Sequence, residues 1–141
     1  MRPFLAVLVV TCSLTAIGCG DDSSSDTLST ADLKAKASAI CKKVVAAQQK
    51  AAQANDGDAI KSAGADAIGD LEALKPSDAD KAKFEAYVTA QKAAVAATDP
   101  IADALTAKDQ AKVQELATAS QPIVDKANAA AAAAGLPDCG A

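Results

Sequence analysis

The chain has no histidine and no tryptophan, one arginine and very few aromatic residues. Each shortage removes a class of function. Without histidine the commonest general base and the commonest zinc ligand are both absent. The one arginine, Arg2, stands at the extreme N-terminus, so the body of the chain has no planar guanidinium to fork onto a phosphate or a base edge. With a formal net charge of −4 as well, nucleic acid is excluded as a partner. No glycine-rich phosphate loop and no serine elbow occurs, and the nearest approach to catalytic chemistry is two carboxylate pairs, Asp66 with Asp70 and Asp78 with Asp80. Side chains so placed serve as surface charges or helix caps, and the chain reads as a non-enzyme with no cofactor.

Large apolar side chains are also scarce. Hydrophobic residues make up 50% of the 141 residues, yet aromatics only 2%, and alanine fills the difference. Alanine favours helix but buries little area. The large residues beyond the first 28 are chiefly Leu33, Ile40, Val44, Ile60, Ile68, Leu71, Leu74, Phe84, Val88, Val95, Leu105, Val113, Leu116, Ile123, Val124 and Leu136. Set against ~1–2 kcal/mol of backbone entropy per ordered residue, that core is thin and calls for a cross-link.

Met1-Arg2-Pro3 is a short basic start, followed by an apolar run from Phe4 to Gly18. The run is shorter than the ~20 residues a membrane span needs and has the length of a signal-peptide core. It ends in Thr15-Ala16-Ile17-Gly18-Cys19-Gly20, where small residues precede a cysteine. These residues resemble the lipobox of bacterial lipoproteins, with Ala16 where leucine is more usual. The resemblance implies cleavage before Cys19 and a lipid on its sulfur; ordinary signal cleavage nearby and an uncleaved anchor are the alternatives. Residues 1–18 are then a signal peptide and 19–28 a lipidated N-terminus and flexible acidic spacer, too polar to fold. Residues 29–141 form the domain, one charge more negative than the whole because Arg2 leaves with the leader.

Periodicity makes that domain all-α. Ser29 with Asp32 caps a first helix whose inner stripe is Leu33, Ala37, Ile40, Val44, Ala47 and Ala51. Asn55-Asp56-Gly57-Asp58 ends it and caps a second helix from Asp58 to Leu74, with Ile60, Gly64, Ala67, Leu71 and Leu74 inward. Gly64 and Gly69 mark close backbone packing, or else a hinge or cavity wall. Ser77 with Asp80 opens the third helix, with Phe84, Val88, Gln91 and Val95 inward, and Pro100 either kinks it or starts a new short helix reaching Thr106. The fourth begins near Asp109, carries Val113, Leu116, Ser120, Ile123, Val124, Ala127, Ala131 and Ala134 on one face, bends at Pro122 and stops at Gly135-Leu136-Pro137. The entries to the second and fourth helices are faintly alike, each a hairpin with a polar tip. The expected fold is an up-down-up-down four-helix bundle with Pro-bent third and fourth helices, closed by one disulfide.

The disulfide follows from elimination. Of four cysteines, Cys12 leaves with the leader and Cys19 carries the lipid, so Cys41 and Cys139 remain to pair in an oxidising compartment. In the chain-entropy treatment a loop of ~100 residues is worth up to ~4.7 kcal/mol. To reach Cys41 the tail must turn back along helix 1, or helix 4 must stop short of its base. Two thiols without further ligands make no metal site.

The lipobox, acidic spacer, alanine-rich helical body and terminal Leu136-Pro137-Asp138-Cys139-Gly140 together resemble the small alanine-rich lipoproteins of bacterial cell envelopes. The resemblance implies a place, anchored to the membrane through Cys19 on its extracytoplasmic face in the envelope or periplasm, and no activity. Two functions fit it. One is an interaction or structural module presenting a basic face of helix 1, with Lys34, Lys42 and Lys43, to another envelope protein or a cell wall component; a plainly solvated face is the simpler reading of those lysines. The other is a carrier for a small apolar or lipid ligand held near Phe84 and Tyr87, rings that otherwise serve as core.

Overall fold

The computed structural model describes residues 27–140. The expected signal peptide, the lipobox-like residues ending in Cys19, and most of the expected spacer lie outside the described residues. Four helices follow, α1 (Thr30–Ala54), α2 (Gly57–Glu72), α3 (Asp78–Thr106) and α4 (Gln110–Ala133), then a 3-10 turn at Pro137–Cys139. The bundle is all-α and up-down-up-down. Each helix packs on the next in sequence, whereas α1 and α4, the outer pair, are joined chiefly through the first core and the terminal turn, which lies against both.

Local chemistry sets the boundaries. Ser29 Oγ accepts the Asp32 amide at 3.1 Å, the expected cap of α1. α1 ends in a left-handed residue, Asn55 (φ 55°), whose neighbour Asp56 donates its amide to the Ala51 carbonyl at 2.9 Å. Asp56 then caps α2 by accepting from the Ala59 amide at 2.9 Å. The α3–α4 hairpin repeats this geometry. Lys108 is left-handed (φ 57°), the Asp109 amide reaches the Ala104 carbonyl at 3.0 Å, and Asp109 Oδ1 accepts from Lys112 at 3.0 Å. The faint likeness of the two tips in sequence is thus a shared turn, a left-handed residue followed by a capping aspartate.

Several expectations need correction. Ser77 takes the N-cap backbone conformation of α3, but its hydroxyl donates to the Asp80 carboxylate at 2.9 Å and caps no amide. Asp80 also receives the Thr30 hydroxyl at 2.6 Å, joining the starts of α1 and α3; these two donors hold its carboxyl below the ordinary range. α3 neither stops nor restarts at Pro100, and α4 likewise continues through Pro122. Both rings are on the exposed side, so each removes one backbone hydrogen bond, to the Ala96 and Thr118 carbonyls, without a clash inside the bundle. Between the two prolines Ser120 Oγ donates to its own helix at Leu116 and approaches the Ala97 carbonyl of α3 at 3.4 Å. Ala47 and Ile123, expected inside, are exposed.

Two small cores result. One, at the end where α1 begins, gathers Leu33, Ala37, Leu71, Phe84, Tyr87, Val88, Ala131 and Leu136 with the two cysteines; the other, at the far end, is Ala51, Ile60 and Ala102. The far core depends on a glycine. A Cβ on Gly57 would fall 2.2 Å from the Ala102 carbonyl oxygen, and the Gly57 amide donates to Thr106 Oγ1 at 3.1 Å. A Cβ on Gly64 would fall 3.0 Å from Val95 Cγ1, the close packing expected of that glycine, whereas one on Gly69 would meet nothing within 4 Å.

These surroundings predict opposite outcomes for the same substitution. Gly57→Ala forces α2 off α3 and should cost at least about 2 kcal/mol. Gly69→Ala should stabilise by about 0.5–1 kcal/mol through helix propensity alone. Urea midpoints at unchanged m-value measure both; equal effects would show that the α2–α3 approach is not tight.

Candidate functional site

The C-terminus is built first as a helix stop. Gly135 adopts φ 69°, its amide donates to the Ala132 carbonyl at 3.0 Å, and the Leu136 amide reaches back to Ala131 at 2.9 Å. This paired geometry directs the next side chain back onto the helix, and Leu136 is accordingly 1% exposed in the first core. The chain then runs along α1, as the reach from Gly135 to Cys41 required. Cys41 and Cys139 form the disulfide, with a Cα–Cα distance of 5.2 Å across 98 residues of sequence. Lys42 pairs with Asp138 at 3.1 Å on the outside, and Gln91 Nε2 on α3 donates to the Cys139 carbonyl at 3.2 Å.

Above this latch the bundle is open between α1 and α4. A cleft of about 190 Å³ enters there and is lined by all four helices and the tail. Ile40, Val44 and Val45 face it from α1, Ala67 and Ile68 from α2, Gln91, Ala94, Val95 and Thr98 from α3, Val124, Ala127 and Asn128 from α4. Its floor includes Tyr87 and the disulfide. Five of the large residues read as core, Ile40, Val44, Ile68, Val95 and Val124, are therefore only half-buried. They surround space rather than fill it. Val45, beside them, is 47% exposed.

Two other depressions carry more charged side chains in their lining. One of about 240 Å³ between α1 and α2 shares Ile40, Val44 and Ala67 with the cleft, and the Lys43–Asp70 pair, at 3.5 Å, belongs to its rim. A larger one of about 680 Å³ lies over α2 and α3 between Thr27 and Lys92. Phe84 and Val88 belong to it, but Glu72, Lys75, Asp78, Lys81, Glu85 and Lys92 surround them, with Lys92 bound to Glu72.

Phe84 and Tyr87, read together as a ligand grip or as core, touch with centroids 6.0 Å apart but serve different surroundings. Phe84 belongs to the outer depression and Tyr87 to the cleft. Both are buried, at 3% and 0% exposure. The Tyr87 hydroxyl lies 3.3 Å from Cys41 Sγ; a disulfide sulfur carries no proton, so the tyrosine donates. Burial pushes the Tyr87 phenol up to about 12, with a Gln91 hydrogen bond pulling the other way.

The lysines of the expected basic face are exposed but engaged within the chain. Lys42 holds Asp138 and Lys43 holds Asp70, and the end of Lys34 lies over Gly135. Lys42 and Ser38 keep the Asp138 carboxyl below the ordinary range. Among the described residues no group of three histidine, cysteine or acidic side chains could hold a metal ion, and no helix is long and apolar enough to cross a membrane.

The cleft was not read from the sequence because periodicity gives the inward face of each helix, not whether the opposite helix fills it. A signal was present in polar residues at inward spacing, Gln48 on α1 with Gln91 and Thr98 on α3. Comparison with protein-family models, with curated proteins and with solved structures finds no match.

Tyr87 is the only tyrosine, so its ionisation can be followed by phenolate absorbance. The folded chain should titrate near pH 12 and the urea-unfolded chain near the ordinary ~10. Because folding keeps the proton, the contribution of Tyr87 to stability is complete below pH 10 and lost as pH rises towards 12. A folded midpoint near 10 would mean that the cleft floor is wet.

Proposed function

We propose that the protein is a non-enzymatic binding module of the bacterial cell envelope, held at the extracytoplasmic face by a lipid on Cys19, and that its working surface is the cleft between α1 and α4. Of the two functions compatible with the sequence, the carrier of a small apolar ligand has the better support. The observation that carries it is the cleft itself, in which four helices contribute half-buried aliphatic side chains around about 190 Å³ of space. Apolar cavities of ~150 Å³ take a molecule the size of benzene, whereas drug-sized ligands need ~300 Å³ or more. The cleft therefore suits a small apolar molecule or a short stretch of alkyl chain.

The reading in which Lys34, Lys42 and Lys43 recruit an acidic envelope protein or wall component has less support. Lys42 and Lys43 are already neutralised by Asp138 and Asp70. Exposed pairs of this kind are individually weak, worth ~0–1 kcal/mol; a strongly acidic partner could displace them, but nothing in their arrangement selects one.

Mass measurement on protein extracted from its own membrane tests the proposal. Native and denatured masses should differ by an excess of small-molecule size, and Ala94→Leu, which fills the cleft from α3, should abolish that excess while leaving thermal unfolding within a few degrees. An excess of protein size, or one unaffected by Ala94→Leu, would point away from the cleft.

A further inference from the structure

The polar groups in the cleft differ in what they have left to offer. Gln91 is committed to the Cys139 carbonyl, Thr98 to the Ala94 carbonyl at 3.0 Å, and the Tyr87 hydroxyl to the disulfide. Asn128 is likewise engaged. Gln48 is half-buried and, among the described residues, makes no hydrogen bond. It stands seven residues beyond Cys41 on α1, about 10 Å along the helix, so it marks the end of the cleft away from the latch. A carboxamide offers a donor and an acceptor side by side.

Charge is balanced in the same space. The one ionisable side chain in the lining besides the buried tyrosine is Asp138, at the latch end, and Lys42 neutralises it. At the Gln48 end the lining holds no charge to replace the hydration that an ionic group would lose on entering.

Resting on the cleft reading above, we infer that the ligand is an uncharged amphiphile, a short alkyl chain ending in a group that both donates and accepts hydrogen bonds, such as an amide or an alcohol. The chain lies among Ile40, Val44, Val95 and Val124, and the head pairs with the Gln48 carboxamide. Fatty acids and alkylamines of the same length are discriminated against by their charge.

Titration of the full chain with hexanamide, hexanoate and hexylammonium at neutral pH, followed by the methyl signals of Val44, Val95 and Val124, tests this. Hexanamide should shift them saturably and bind at least about tenfold more tightly than either ion, because nothing at the Gln48 end replaces the hydration an ion loses. Gln48→Leu should weaken hexanamide itself by about tenfold, the loss of one well-made hydrogen bond, while the fold, read from the same spectra, is kept. Equal or tighter binding of hexanoate or hexylammonium would overturn the uncharged head group but leave the cleft as a binding site. Hexanamide affinity unchanged by Gln48→Leu would overturn the role of Gln48, and no saturable shift with any of the three would overturn the cleft reading itself.

Discussion

The structure depends on a packing constraint set by alanine. Helices faced with alanine approach closely but cannot fill the centre of a bundle, and a single row of large side chains per helix leaves that centre to whatever closes the ring. Here the ring is closed by the last residues of the chain. Gly135 reverses the backbone, Leu136 enters the first core, and Cys139 ties the tail to α1. Leu136 places the tail against α1 through burial in the folded state, while the disulfide makes the closure permanent by limiting the unfolded chain.

The cleft is the consequence of closing the bundle at one end only. At the latch, Tyr87, Leu33, Ala37 and Leu136 pack without space; at the far end, Gly57 lets α2 touch α3 and the second core is sealed by alanines. Between them α1 and α4 make little contact, and Ile40, Val44 and Val124 line a gap. The charged surface follows the same division. Lys43–Asp70 crosses from α1 to α2, Lys61–Asp103 from α2 to α3, at 2.5 Å, and Lys42–Asp138 from α1 to the tail. Lys43, of the basic face of α1, thus meets an α2 aspartate within the molecule.

Much of the architecture was legible in the chain because it is encoded locally. Ser29 and Asp32, the paired turns at Asn55-Asp56 and Lys108-Asp109, and the Gly135-Leu136-Pro137 stop each act within a few residues. The cysteine pair was legible by elimination and by the reach of the tail. What depended on distant neighbours was not. Ile123 has inward spacing, yet α4 meets only α3 along most of its length, so the residue faces solvent. Ser77 is spaced as a cap, yet its hydroxyl donates to the Asp80 carboxylate, which also receives the Thr30 hydroxyl of α1. At Pro100 the pattern left open a bend or a new helix, and only the structure shows one continuous α3. The cleft belongs with these cases, since it exists only between helices far apart in sequence. Of the candidate site residues, Tyr87 reaches the cleft floor, Phe84 lies on another face, and the α1 lysines border it only through Asp138.

The account rests on the claim that the C-terminal latch, and not helix packing, holds α1 to α4. Amide hydrogen exchange on the full chain, compared between the native form and a variant carrying Cys41→Ser and Cys139→Ser, tests it most directly. The account predicts that α4 and the part of α1 beyond Cys41 lose protection first, while α2 and α3 keep theirs. A uniform loss across all four helices, or α4 protected as before, would show that packing alone closes the bundle.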